Sequence, residues 1–255
     1  MDKVNNISYA SSQSLGDRPN QQDAYLTLTK NNDTLAVVCD GMGGLEGGQY
    51  ASETVVSLFL NNFMNEEIDD IPTFLLKQVV DGDNSVARLT NDMGEYLDAG
   101  STCVGAYVRD NMLYYISVGD SHIYILRKGD MLQLNTDYNY KYLLDQKLMN
   151  EEIDEDTYQQ ELVRGEALIS YLGMDGLDYV GRNDSGLRLE DGDQILLCSD
   201  GLYKRLETST IQSTIKTEKS LQDKVNLLQE EARKASDAHN QDNTTIILME
   251  YKIHE

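Results

Sequence analysis

Apolar positions along the chain fall into two patterns. Short runs read as strands, most of them bounded by turn residues, at 24–29, 34–39, 102–108, 112–118, 123–127, 194–198 and 244–251. Two pairs of runs are separated only by polar turns, Lys30-Asn31-Asn32-Asp33 and Arg109-Asp110-Asn111, which favours antiparallel hairpins over βαβ units. Helical spacing appears between the early and middle runs. Ala51, Val55, Leu58, Phe59 and Phe63 share one face, and after Pro72 so do Leu75, Leu76, Val79, Val86 and Leu89. A third amphipathic helix, 221–234, precedes the last run, and 143–166 reads as a helical, mostly polar excursion. Antiparallel strand groups with helices between them predict an α+β layered domain.

The 255 residues contain no Pro-, Gly- or Ser-rich linker, so one domain spanning 1–255 is expected. No stretch approaches the run of about 20 apolar residues that a membrane helix needs. The start, Met1-Asp2-Lys3-Val4-Asn5-Asn6, lacks the apolar core of a secretory signal. These features predict a soluble, cytoplasmic chain with no membrane partner. Cys39, Cys103 and Cys198 form no CxxC pair and sit in or at the end of apolar runs, as small buried hydrophobes do. The net charge of −23 repels nucleic acid. Much of that charge is expected on solvated surface, for example in the acidic stretch 150–156.

Five aspartates change the picture, because they fall at the ends of predicted strands. Asp40-Gly41, Gly119-Asp120 and Ser199-Asp200-Gly201 follow apolar runs, whereas Asp23 and Asp242-Asn243 precede them. In antiparallel sheets the end of one strand lies beside the start of its neighbour, so all five can gather at one rim. Crowded carboxylates are unfavourable unless a cation neutralises them, and an all-oxygen donor set selects Mg²⁺ or Mn²⁺. Any one Asp-Gly, taken alone, reads first as a turn. Between Asp40 and the first helix, positions 41–48 hold five glycines, which permit close backbone approach. A Gly-rich strand-to-helix loop also suits phosphate, but it matches neither the P-loop nor a full dinucleotide fingerprint.

At these residues the chain resembles the bacterial 2C-type metal-dependent serine/threonine protein phosphatases, the PPM family. Asp40-Gly41-Met42-Gly43-Gly44 with Gly48 and Ala51-Ser52 is similar to the DGxGG loop. Arg18-Pro19-Asn20-Gln21-Gln22-Asp23 resembles the R-x-x-N-E-D motif, and Gly100-Ser101-Thr102 the GST/GTT strand start. Val118-Gly119-Asp120-Ser121, Ser199-Asp200-Gly201-Leu202 and Asp242-Asn243-Thr244-Thr245 resemble VGDS, SDGL and DNxT. The motifs keep the family's order across roughly residues 8–250.

The resemblance implies a four-layer αββα sandwich, two antiparallel β-sheets flanked by helix pairs, with a two-metal centre at one end. It implies that Asp40 bridges two Mn²⁺ or Mg²⁺ ions, with the Gly41 carbonyl on one and Asp200 and Asp242 on the other. Asp120 matches the position that helps hold a weaker third ion. Arg18 matches the phosphate-binding arginine, whose planar fork suits phosphate oxygens, and Asp23 the residue that orients the attacking water. Paired hard cations make hydroxide available near neutral pH for in-line attack on phosphorus.

Several positions depart from the family pattern. Gln22 replaces glutamate and brings no charge. Met42 stands where animal members have a histidine, which leaves water to protonate the leaving group. His122 replaces an arginine; with Asp120 alongside it could titrate or ligate, but its expected role is packing, and His239 is expected in a loop. Lys204 occupies a position where many members carry an acid, and its charge opposes a third ion. Segment 138–174 matches the family's flap in position only. The expected function is hydrolysis of phosphoserine and phosphothreonine on proteins, by a monomer, reversing a bacterial Ser/Thr kinase. The alternatives are a catalytically weak phosphoprotein-binding relative and an acidic divalent-cation-binding protein.

Overall fold

The computed structural model describes residues 6–44, 47–236 and 240–253. The first part of the chain forms β1 (Ile7–Ser14), β2 (Asp23–Lys30), β3 (Asp33–Gly43), α1 (Gly47–Asn65) and α2 (Ile71–Val86). Next come β4 (Ala99–Ser101), β5 (Cys103–Arg109), β6 (Met112–Val118), β7 (His122–Arg127) and β8 (Asp130–Gln133). A helical excursion then carries α3 (Tyr140–Met149) and α4 (Glu155–Glu161), followed by the short strands β9 (Gly181–Arg182) and β10 (Leu187–Arg188). The chain closes with β11 (Gln194–Cys198), α5 (Asp200–Tyr203), α6 (Thr208–Ile215), α7 (Leu221–Ala235) and β12 (Thr244–Tyr251).

Every residue of the run Leu35-Ala36-Val37-Val38-Cys39 in β3 is fully buried, and alternate residues serve different layers. Leu35, Val37 and Cys39 pack with Val55, Phe59, Phe63, Leu75 and Val79 of α1 and α2. Ala36 and Val38 face the opposite way, toward Ile123, Ile195, Leu197, Ile247 and Met249. Behind those strands, Leu196, Cys198, Ile246 and Leu248 meet Ile211, Val225 and Leu228 of α6 and α7. Three apolar seams between four layers give the αββα sandwich. Strands buried on both faces read as continuous apolar runs, which is why they were legible.

One sheet has the order β1-β12-β11-β7-β8, and the other β10-β6-β5-β3-β2, with β4 on β3 and β9 on β6. All pairings are antiparallel. Both predicted hairpins form, turning at Asn31 (φ 57°) and Asp110 (φ 55°), residue types that tolerate the left-handed region. Asp70 caps α2 by accepting from Thr73 N, with Pro72 in the first turn, and the helix ends before Leu89. Five strands escaped the pattern reading. The longest, β1, is a Ser-rich edge strand of which only Ile7 and Ala10 are buried. α5 and α6 escaped it too, being about one and two turns long. The three cysteines are buried and free, and 150–156 is largely exposed.

Candidate active site

Strand register brings the five aspartates to one end of the sandwich. Asp23 is paired with Asp40 across β2 and β3. Cys198 is paired with both Ile246 and His122, so Asp200, the approach to β12 and the β6–β7 turn share the same rim. A cleft of about 390 Å³ opens there, lined by Arg18, Gln22, Asp40, Gly41, Met42, Asp120, Asp200, Lys204, Asp242 and, from the excursion, Glu166 and Leu168. Asp23 lies behind this lining, buried. Asp40 and Gly41 are not past a strand end as the sequence suggested. β3 runs on to Gly43 because β4 pairs with residues 41–43.

Small polar side chains of the other motifs fix these positions. Asp40 N donates to Thr102 Oγ1 at 3.0 Å, and Thr102 N donates to Asp40 O at 2.8 Å. Thr102 Oγ1 in turn lies 2.7 Å from Ser121 Oγ. Asn243 ties the first and last motifs together, accepting from Gln22 N at 2.7 Å and donating to Leu15 O at 2.8 Å. Two glycines are required by close approach. A Cβ on Gly41 would lie 2.0 Å from Gly48 O, and one on Gly201 2.1 Å from Asn243 O.

Burial pushes the Asp40 carboxyl well above its usual range, and Asp23, Asp200, Asp120 and Asp242 push it further. Burial also raises Asp23 to about 7, against a hydrogen bond that Ser199 Oγ donates to its Oδ2 at 2.7 Å. Its other oxygen, Oδ1, is buried without a hydrogen-bond partner. Asp120 is likewise raised by burial, and Lys204 counteracts this. Two cations answer these charges. Arg18 Nη2 lies 2.6 Å from Asp242 Oδ2, and Lys204 Nζ lies 2.9 Å from Asp200 Oδ2. Burial acts to lower the Lys204 ammonium, but Asp200 and Asp120 outweigh it and raise its pKa.

Among the described residues, no three acidic, imidazole or thiol side chains are already gathered around one point as a metal would need. Asp242 and Asp200 are paired instead with Arg18 and Lys204. The residues nevertheless fit a hard divalent cation. The donors are all oxygens, Asp40 is crowded by four other carboxylates, and Asp23 Oδ1 is an orphaned acceptor beneath them.

The remaining sequence expectations fall into place around this cleft. Arg18, Asp40, Gly41, Asp120, Asp200 and Asp242 are brought together, with Asp23 one layer behind. His122 is buried, stacks on Tyr203 at 3.5 Å and bonds Tyr124 through Nδ1 at 2.6 Å, but it also places Nε2 2.9 Å from Asp137 Oδ1, a polar contact beyond the expected packing. His239 lies outside the described residues. Gln22 donates its amide to Gly43 O at 3.4 Å. Glu166 was missed, because an acid in a polar excursion carries no pattern signal. Thr102, Ser199 and Asn243 stood inside motif strings, but their partners are set only by the fold.

Residues 13–241 match the Protein phosphatase 2C family. The chain is 26% identical over 235 residues to the serine/threonine phosphatase stp of Listeria welshimeri, covering 91% of this chain and 90% of that one. It is 26% identical over 237 residues to protein phosphatase PhpP of Streptococcus pneumoniae, covering 91% and 92%. A serine/threonine phosphatase structure from S. agalactiae superposes with a TM-score of 0.83 at 24% identity, covering 97% of this chain and all of the other. The catalytic domain of the phosphatase PstP, solved with two manganese ions, superposes with a TM-score of 0.76 at 25% identity, covering 97% and 99%.

Proposed function

Because the chain belongs to the protein phosphatase 2C family, we propose that its rim of aspartates is the catalytic centre of a metal-dependent protein serine/threonine phosphatase. The observation that carries this reading is the crowding of Asp40 by carboxylates from four separate segments, beside an exposed arginine in a polar cleft. Asp40, the Gly41 carbonyl, Asp200 and Asp242 would hold two Mn²⁺ or Mg²⁺ ions. Bound there, the ions supply the Lewis acidity that makes a water nucleophilic near neutral pH and offset the charge of the phosphoryl group.

The other residues act on substrate and water. Arg18, with its side chain more than half exposed, binds phosphate oxygens and orients phosphorus for in-line attack. Asp23 orients the attacking water through its unpartnered oxygen. Met42 offers no proton, so solvent protonates the departing serine or threonine oxygen. Asp120, at the position of a weaker third ion, faces the Lys204 ammonium instead.

The substrates are phosphorylated proteins, and we read them as those of a bacterial Ser/Thr kinase. The described residues are read as one catalytic domain, with 138–174 as its flap, acting as a monomer in the cytoplasm. No helix among the described residues is long and apolar enough to cross a membrane. The test is Mn²⁺-dependent phosphate release from p-nitrophenyl phosphate and from a phosphothreonine peptide, with wild type and Asp40→Asn compared. Turnover lost in a folded Asp40→Asn supports the enzyme. Peptide binding without turnover in wild type points to a non-catalytic relative, and metal binding without peptide affinity to a cation-binding protein.

A further inference from the structure

Lys204, the C-cap of α5, stands where three carboxylates from distant parts of the chain converge. Its Nζ lies 2.9 Å from Asp200 Oδ2, 3.2 Å from Glu166 Oε2 and 3.7 Å from Asp120 Oδ2. Asp200 and Asp120 belong to the rim of the sandwich. Glu166 belongs to the 138–174 excursion, and it lines the cleft together with Leu168.

The base of the excursion is hydrogen-bonded to the sandwich. Tyr138 N donates to Gly119 O at 3.0 Å, and Ser101 and Leu172 exchange backbone bonds of 3.0 and 2.8 Å. Between these stems, α3, α4 and the turn Leu162–Arg164 pack chiefly on one another. The Glu166 pair therefore joins the inner edge of this segment to the rim. An ammonium has three donors and a fixed charge, which is enough to serve three carboxylates at once. Unlike a free ion, it cannot dissociate.

We propose that Lys204 is a positioning residue that acts as a built-in cation between Asp120 and Asp200, keeps a further divalent ion from that position, and straps the 138–174 flap over the cleft through Glu166. The excluded ion depends on the phosphatase reading. The strap does not, since it is made wholly of protein groups.

Two measurements on the full chain test the two halves. The first is hydrogen exchange of the metal-free protein in EDTA, for wild type, Lys204→Gln, Lys204→Arg and Glu166→Gln. Losing an ion pair that is exposed on its Glu166 side should speed exchange across 140–166 about two- to fivefold in Lys204→Gln and Glu166→Gln, with β12 and α7 unchanged and Lys204→Arg near wild type. Glu166 is exposed, so its substitution tests the strap even if Lys204→Gln loosens the whole fold. Equal exchange in wild type and Glu166→Gln overturns the strap. The second is Mn²⁺ stoichiometry by electron paramagnetic resonance. Lys204→Asp should bind one more equivalent than wild type, and equal stoichiometry overturns the exclusion. A wild type that binds no Mn²⁺ overturns the exclusion and the phosphatase reading together, while the strap stands or falls on the exchange data.

Discussion

Replacing Gly201 by alanine should separate the two halves of the acidic site without touching a carboxylate. Gly201 follows Asp200 in the first turn of α5, and its Cα faces the backbone that leads from Asp242 into β12. An added Cβ would lie 2.1 Å from Asn243 O, 2.5 Å from Thr244 Oγ1 and 3.0 Å from Asn243 C. Real Cβ atoms do not approach closer than 3.0 Å, so the two segments must part by at least about 0.9 Å. Two of the three clashing atoms are backbone, and no side-chain rotation relieves them. Overpacking of this kind costs about 1–3 kcal/mol, which at this chain length lowers Tm by about 2–6 °C. The catalytic effect should be larger than the stability effect. Moving Asp200 relative to Asp242 by about 1 Å should lower kcat/KM about a hundredfold. Thermal melting and Mn²⁺-dependent hydrolysis of p-nitrophenyl phosphate measure the two effects. Gly44→Ala is the control, since a Cβ there meets nothing within 4 Å. A Gly201→Ala enzyme with the melting point and activity of Gly44→Ala would refute the reasoning.

Three further outcomes are expected. Asp83 in α2 accepts hydrogen bonds from the backbone of Gly173, Met174 and Gly176 at 2.8, 2.9 and 2.7 Å, so Asp83→Ala should lose about 2–3 kcal/mol in urea denaturation; an unchanged midpoint would contradict this. Adding Mn²⁺ at about a hundred times its Kd should stabilise wild type by about 2.7 kcal/mol but Asp40→Asn far less, and equal shifts in Tm would show that the ion binds elsewhere. Burial holds the phenols of Tyr107, Tyr115 and Tyr124 above their ordinary 10.0. Their folded pKa exceeds the unfolded one, so this stability is complete below about pH 10 and is lost as pH rises beyond it. Exposed tyrosines such as Tyr96 ionise first, and the phenolate absorbance of the buried ones should appear later, together with loss of near-ultraviolet dichroism; ionisation of all 16 tyrosines near pH 10 in folded protein would count against it.

The sequence alone determined the strands buried on both faces, because each such residue must be apolar whichever layer it meets, as in Leu35 to Cys39. It determined the amphipathic helices α1, α2 and α7 by their spacing, and it marked the acidic rim, because aspartates at strand ends are a local pattern. The edge strand β1 was not legible, since pairing with β12 is a backbone affair that places few demands on Ile7 to Ser14. Nor could the chain show what each carboxylate would face. Asp242 beside Arg18 lies 224 positions away in sequence, and Glu166 reaches Lys204 only because the excursion folds back over the cleft. Charge type is written in the residue, but charge balance depends on distance through space, and only the packed sheets set that distance.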